Sequence, residues 1–132
     1  MSVSIRLLVI VLSVWTFLWS GLGIYLIFGS MANVGLTICN MLGGILGGFA
    51  AIKEHQLAAF FGAGFLIVSG LWLFVLACIM IAMDSSPLLA GYIIYSLMFF
   101  EGIVQCASAG IFVIFGLQLG REISNEQTSS EV

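Results

Sequence analysis

Four long apolar runs separated by short polar connections predict an all-α membrane protein, a bundle of four transmembrane helices. Charge is scarce: 7% of the 132 residues are charged and 62% are hydrophobic, where a soluble domain carries roughly a quarter charged residues. The three basic residues, Arg6, Lys53 and Arg121, fall where a chain that starts inside and crosses four times returns to the inner face. Cytoplasmic segments of membrane proteins carry the Lys/Arg excess, so both termini are expected in the cytoplasm. The predicted domains are a four-helix transmembrane unit over 1–120 and a polar cytoplasmic tail over 121–132.

The first span is read at 7–28. Its apolar run exceeds the 7–15 residues of a secretory signal core, so it is kept as a helix although Ser30 and Ala32 would suit a cleavage site. The second, 34–52, places Gly35, Cys39, Gly43, Gly47 and Ala51 at every fourth residue, one small-residue stripe of the kind that lets helices approach closely in lipid. The third, 57–83, carries Gly62, Gly64 and Gly70. The fourth, 88–119, repeats the device at Gly102, Cys106 and Gly110, then at Gly116 and Gly120. The last two spans exceed the roughly 20 residues a bilayer core requires, so they tilt or protrude. Asp84-Ser85-Ser86-Pro87 joins them in a short outer hairpin. The tail is polar enough to be expected disordered.

Three intramembrane polar residues stand out: Asn40, Glu101 and Gln105. Counting 1.5 Å per residue puts Asn40 about 20 Å above Lys53, with Ser20, Ser69 and Ser108 at similar heights, which predicts a shared polar layer. The same count puts Glu101 about 30 Å above Arg121, near the outer interface, where a clamp to the connection 29–33 or a subunit contact is expected. An intramembrane carboxylate is also a default candidate for transport, but Gln105 is its one adjacent polar group.

No enzymatic site is expected. Cys39, Cys78 and Cys106 lie inside spans with no metal or disulfide spacing, His55 reads as a solvated turn residue, and no nucleophile–base pair is visible. No cofactor or metal is implied. The absence of a basic patch excludes nucleic-acid binding. Ser130-Glu131-Val132 matches the carboxylate pattern that PDZ-type domains take up as an added strand, which names a cytoplasmic partner class.

The segment Leu7-Leu-Val-Ile-Val-Leu-Ser-Val-Trp-Thr-Phe-Leu-Trp-Ser-Gly-Leu-Gly-Ile-Tyr25 resembles the opening helix of tetraspanins. Gly44-Ile-Leu-Gly-Gly-Phe-Ala-Ala-Ile-Lys-Glu-His-Gln-Leu57 is similar to their second helix and inner loop. Phe60 and Phe61 fit the start of the third, and Glu101 or Gln105 the polar position of the fourth. The large cysteine-rich loop of that family, with its Cys-Cys-Gly motif, is missing between the third and fourth spans. Ser13 stands near where the family has Asn. The resemblance implies a non-enzymatic membrane scaffold or organiser without its recognition loop.

The leading expectation is therefore lateral helix association in the lipid bilayer, with copies of itself or with other membrane proteins. Gly35, Gly43, Gly47, Gly102, Gly110 and Gly116 are the assembly candidates where the monomer does not consume them. Two alternatives are an accessory subunit of a larger membrane complex and a small transporter or channel using Glu101.

Overall fold

The computed structural model describes residues 3–26, 31–83 and 89–131, which form four α-helices: α1 (Val3–Leu26), α2 (Met31–Lys53), α3 (Gln56–Met83) and α4 (Leu89–Glu131). All four are long and apolar enough to cross a membrane. Helix is the form such a chain must take, because lipid offers no partner for a free backbone N–H or C=O. The one proline, Pro87, lies outside the described residues. The hairpin expected at 84–87 also lies outside them.

The helices follow one another around a ring. α1 packs on α2, α2 on α3 and α3 on α4, while α4 returns to α1 along a slighter seam. Glycines line the first three seams. A Cβ added at Gly44 would stand 2.9 Å from the Ser13 carbonyl oxygen on α1. One at Gly62 would meet the Gly43 carbonyl oxygen of α2 at 3.3 Å, and one at Gly102 the Gly70 carbonyl oxygen of α3 at 3.3 Å. Backbones approach this closely only where side chains are absent, which is how helices gain packing energy in a solvent as apolar as leucine.

Large side chains on one helix fill what small ones leave on another. Phe112 and Phe115 of α4 are fully buried among Ala50 and Ala51 of α2, Ala58, Ala59 and Ala63 of α3, and Val9 of α1. Phe112 rests on Gly47, and Phe60 of α3 rests on Gly116. The outward surface is apolar instead of polar, with Leu18, Ile52, Phe61, Ile93 and Ile103 more than half exposed, as a bilayer requires.

The α2–α3 connection is a tight helix stop. Glu54 takes φ 54°, the left-handed conformation of a helix C′ residue, and the His55 N–H donates to the Ala50 carbonyl at 3.2 Å, the six-to-one bond of a Schellman motif. His55 then caps α3: its Nδ1 accepts from the Ala58 N–H at 3.2 Å. Arg6 bonds Glu54, which brings the start of α1 level with this turn. A Cβ at Gly120 would collide with the Gln56 side chain, so Arg121 lies at the same end. The three basic residues thus share one end of the bundle.

The tail departs from the expectation of disorder. α4 continues as helix to Glu131, and Thr128 Oγ1 donates to the Ser124 carbonyl at 3.0 Å. The reason is cooperativity: the costly nucleus already exists in the membrane, and no Pro or Gly follows Gly120 to stop the elongation.

Candidate functional site

Four of the buried polar side chains assemble with Trp15 into one string that touches every helix. Ser69 of α3 lies between two amides, bonding Asn40 of α2 and, at 2.7 Å, Oε1 of Gln105 on α4. Gln105 Nε2 donates to Glu101 Oε1 at 3.3 Å, one turn along α4. The second carboxyl oxygen, Oε2, accepts from Trp15 Nε1 of α1 at 3.1 Å. Glu101 and Gln105 are 0% exposed, Ser69 1% and Asn40 2%.

Each position follows from helix geometry. Glu101 and Gln105 are four apart and therefore stack on one face of α4. Ser69 occupies the third-helix seam next to Gly70, whose missing Cβ lets α4 close in: Cys106 Sγ would be 2.9 Å from that atom. A buried amide or carboxyl costs several kcal/mol when unpaired in hydrocarbon, and the contacts among these four groups offset part of that cost.

The expected layer of Asn40, Ser20, Ser69 and Ser108 is half present. Asn40 and Ser69 do bond. Ser20 and Ser108 turn back on their own helices, donating to the Phe17 carbonyl at 2.6 Å and the Val104 carbonyl at 2.7 Å. A hydroxyl three or four residues beyond a free carbonyl lone pair has this local partner available in any helix, and equal height does not compete with it. Ser13 and Thr16 do the same.

Glu101 bonds Trp15 of α1 and Gln105 of its own helix. The clamp expected to the connection 29–33 falls on residues whose side chains lie outside the described part. A count of axial rise treats each helix as upright and ignores side-chain reach; the indole of Trp15 spans the seam. Trp15 was legible in principle, since a buried or half-buried indole N–H in lipid must find an acceptor.

Of the six assembly candidates, Gly43, Gly47, Gly102 and Gly116 face neighbours within the same chain. Their added Cβ atoms would meet Leu66 at 2.8 Å, Phe112 Cζ at 2.5 Å, Phe74 at 3.1 Å and Phe60 at 2.7 Å. Gly35 and Gly110 have nothing within 4 Å and point outward. Ser130 falls in the last turn of α4, its side chain outside the described part, and Val132 lies outside it altogether. The cysteines are free, Cys39 and Cys106 half-buried and Cys78 exposed. Among the described residues no group of three or more His, Cys, Asp or Glu is placed to hold a metal.

The fold and this string define the class: a bundle of four helices, each long and apolar enough to cross a membrane, with a buried polar centre that links all four. No protein-family model, curated protein or solved structure matches the chain.

Proposed function

We propose that the protein is a tetraspanin-like, non-enzymatic membrane scaffold that acts by lateral association, its basic end facing the cytoplasm. The observation that carries this reading is the outward face of α4. Ile103, Ala107, Gly110, Ile114 and Leu117 are all exposed at alternating steps of four and three, the spacing at which one helix seats against another. Ala107 and Gly110 form a notch between larger flanks, and Gly35 is a second open position on α2. The polar string is engaged within the bundle and the segments between helices are short, so the lateral surface is, beside the polar end of α4, what remains for recognition.

The test is the mass of the particle in lipid nanodiscs. Wild type is expected to hold more than one copy, and Gly110→Leu to shift it to one copy with the helix content unchanged. A wild-type protein that is monomeric at every protein-to-lipid ratio rejects self-association. Purification from native membranes with a fixed set of unrelated chains instead supports an accessory subunit of a larger complex.

A second reading has its own observation. The Glu101 carboxyl is buried in a string that reaches all four helices, and buried intramembrane acids mark transport paths in other proteins. Vesicles that show proton or cation flux lost in Glu101→Gln support it; equal flux in wild type and variant dismisses it.

A further inference from the structure

We infer that the string Glu101–Gln105–Ser69–Asn40 is a protonation-linked switch, in which a proton added to Glu101 reverses the direction of each hydrogen bond as far as Asn40 on α2. The inference does not depend on lateral association.

The geometry that carries it is at Ser69. Its hydroxyl lies within bonding reach of two amide oxygens, Asn40 Oδ1 and Gln105 Oε1, yet it has one proton, so one of the two amides has to turn its NH2 to the serine. It therefore donates to one amide and accepts from the other. When Glu101 is ionised it can only accept, so Gln105 Nε2 and Trp15 Nε1 both donate to it. Gln105 then turns its oxygen to Ser69, Ser69 donates to that oxygen, and Asn40 must offer its NH2 group to Ser69. When Glu101 is protonated on Oε1, that O–H donates to the Gln105 oxygen. The Gln105 NH2 then faces Ser69, and the Ser69 proton points to the Asn40 oxygen. Trp15 keeps its bond to Oε2 in both states.

Both arrangements set a donor against an acceptor at every link of the string, and they differ by one proton on Oε1 taken from solvent, with no other covalent bond made or broken. A mixed arrangement sets two acceptors or two donors face to face in a buried site, which low local polarity makes costly. The state of the carboxyl on α4 is thereby imposed on an amide of α2 across α3.

The surroundings contain no competing charge among the described residues. α1 offers Trp15, α3 offers Ser69 with Cys78 facing outward, and α2 offers Asn40 with the thiol of Cys39 one residue away. α4 itself adds the buried Tyr95 and the thiol of Cys106. Arg6, Lys53, Glu54 and Arg121 are at the basic end.

The experiment uses the full chain in nanodiscs, with the carboxyl C=O band followed by infrared spectroscopy and the Asn40 side-chain amide and Trp15 indole by 15N NMR, from about pH 4 to about pH 10. In wild type the Asn40 resonances are expected to shift with the same midpoint as the carboxyl band. Glu101→Gln abolishes both. Gln105→Met leaves the Trp15 and carboxyl titrations in place but removes the Asn40 shift; Ser69→Ala, a smaller change, does the same if the first variant fails to fold. The inference is overturned by a wild-type Asn40 amide that stays still while the carboxyl titrates. It is equally overturned by an Asn40 shift that survives in the cut string, or by a carboxyl that does not titrate across the range.

Discussion

At Gly47 one methyl group is enough to disturb the bundle. An added Cβ would lie 2.5 Å from both Phe112 Cζ and Ser13 Oγ, and both groups are buried with little room to retreat. Gly47→Ala is expected to lower stability by about 1–3 kcal/mol, the usual cost of overpacking. Gly110→Ala meets open space and should change it by no more than about 1 kcal/mol, in the stabilising direction. Thermal unfolding in matched detergent compares the two, and equal losses would refute the assignment of their faces. A period of four identified both positions as small, yet periodicity reports that a residue lies on a stripe, not which neighbour the stripe meets. His55 was similarly half-legible. Its exposure followed from a polar turn, but its capping of α3 depends on ring Nδ1 reaching the Ala58 N–H, and histidine is not among the residues that signal a cap. His55→Ala should therefore cost about 1 kcal/mol and His55→Asn much less.

Among the elements, α1 depends most on a polar contact. Its seam with α2 is closed by glycine, whereas its seam with α4 is slighter and carries the Trp15–Glu101 hydrogen bond. Trp15→Phe keeps most of the ring volume and deletes the donor, leaving Oε2 of a fully buried carboxyl without it. Interhelical hydrogen bonds in membranes are worth about 0.6–1.7 kcal/mol, so a loss of that size is expected. Amide exchange should rise along α1 and the facing part of α4 more than along α2 and α3; a uniform rise would mean that the seam is not where the stability resides. The elements themselves were readable because each apolar run is about as long as a bilayer needs or longer and is bounded by a polar break, so number, order and helical type followed from length and from the backbone's need for internal partners. The end of α4 was not readable this way, because polarity argues for solvent contact without deciding between coil and an elongating helix. The pairing of Glu101 with Trp15 was hidden for another reason. It depends on which helices close the ring, and no single run contains that information.

For the whole molecule, the same-end placement of Arg6, Lys53 and Arg121 turns a charge rule into a geometric constraint. Glu54 occupies a left-handed position that glycine fills at less cost, and what it provides in return is its bond to Arg6 across the start of α1. The α2–α3 turn, the beginning of α1 and the end of the apolar part of α4 must therefore face one compartment, whichever it is. The proposed orientation, drawn from the Lys/Arg excess, makes that compartment the cytoplasm. Single cysteines placed at Glu54 and Ile123, with the three native cysteines replaced by alanine, test both statements together. In right-side-out cells an impermeant maleimide should label neither position, and after permeabilisation it should label both. Labelling of both in intact cells would invert the orientation while leaving the fold as described. Labelling of one and not the other would be incompatible with four crossings, and the ring of helices described here would have to be abandoned.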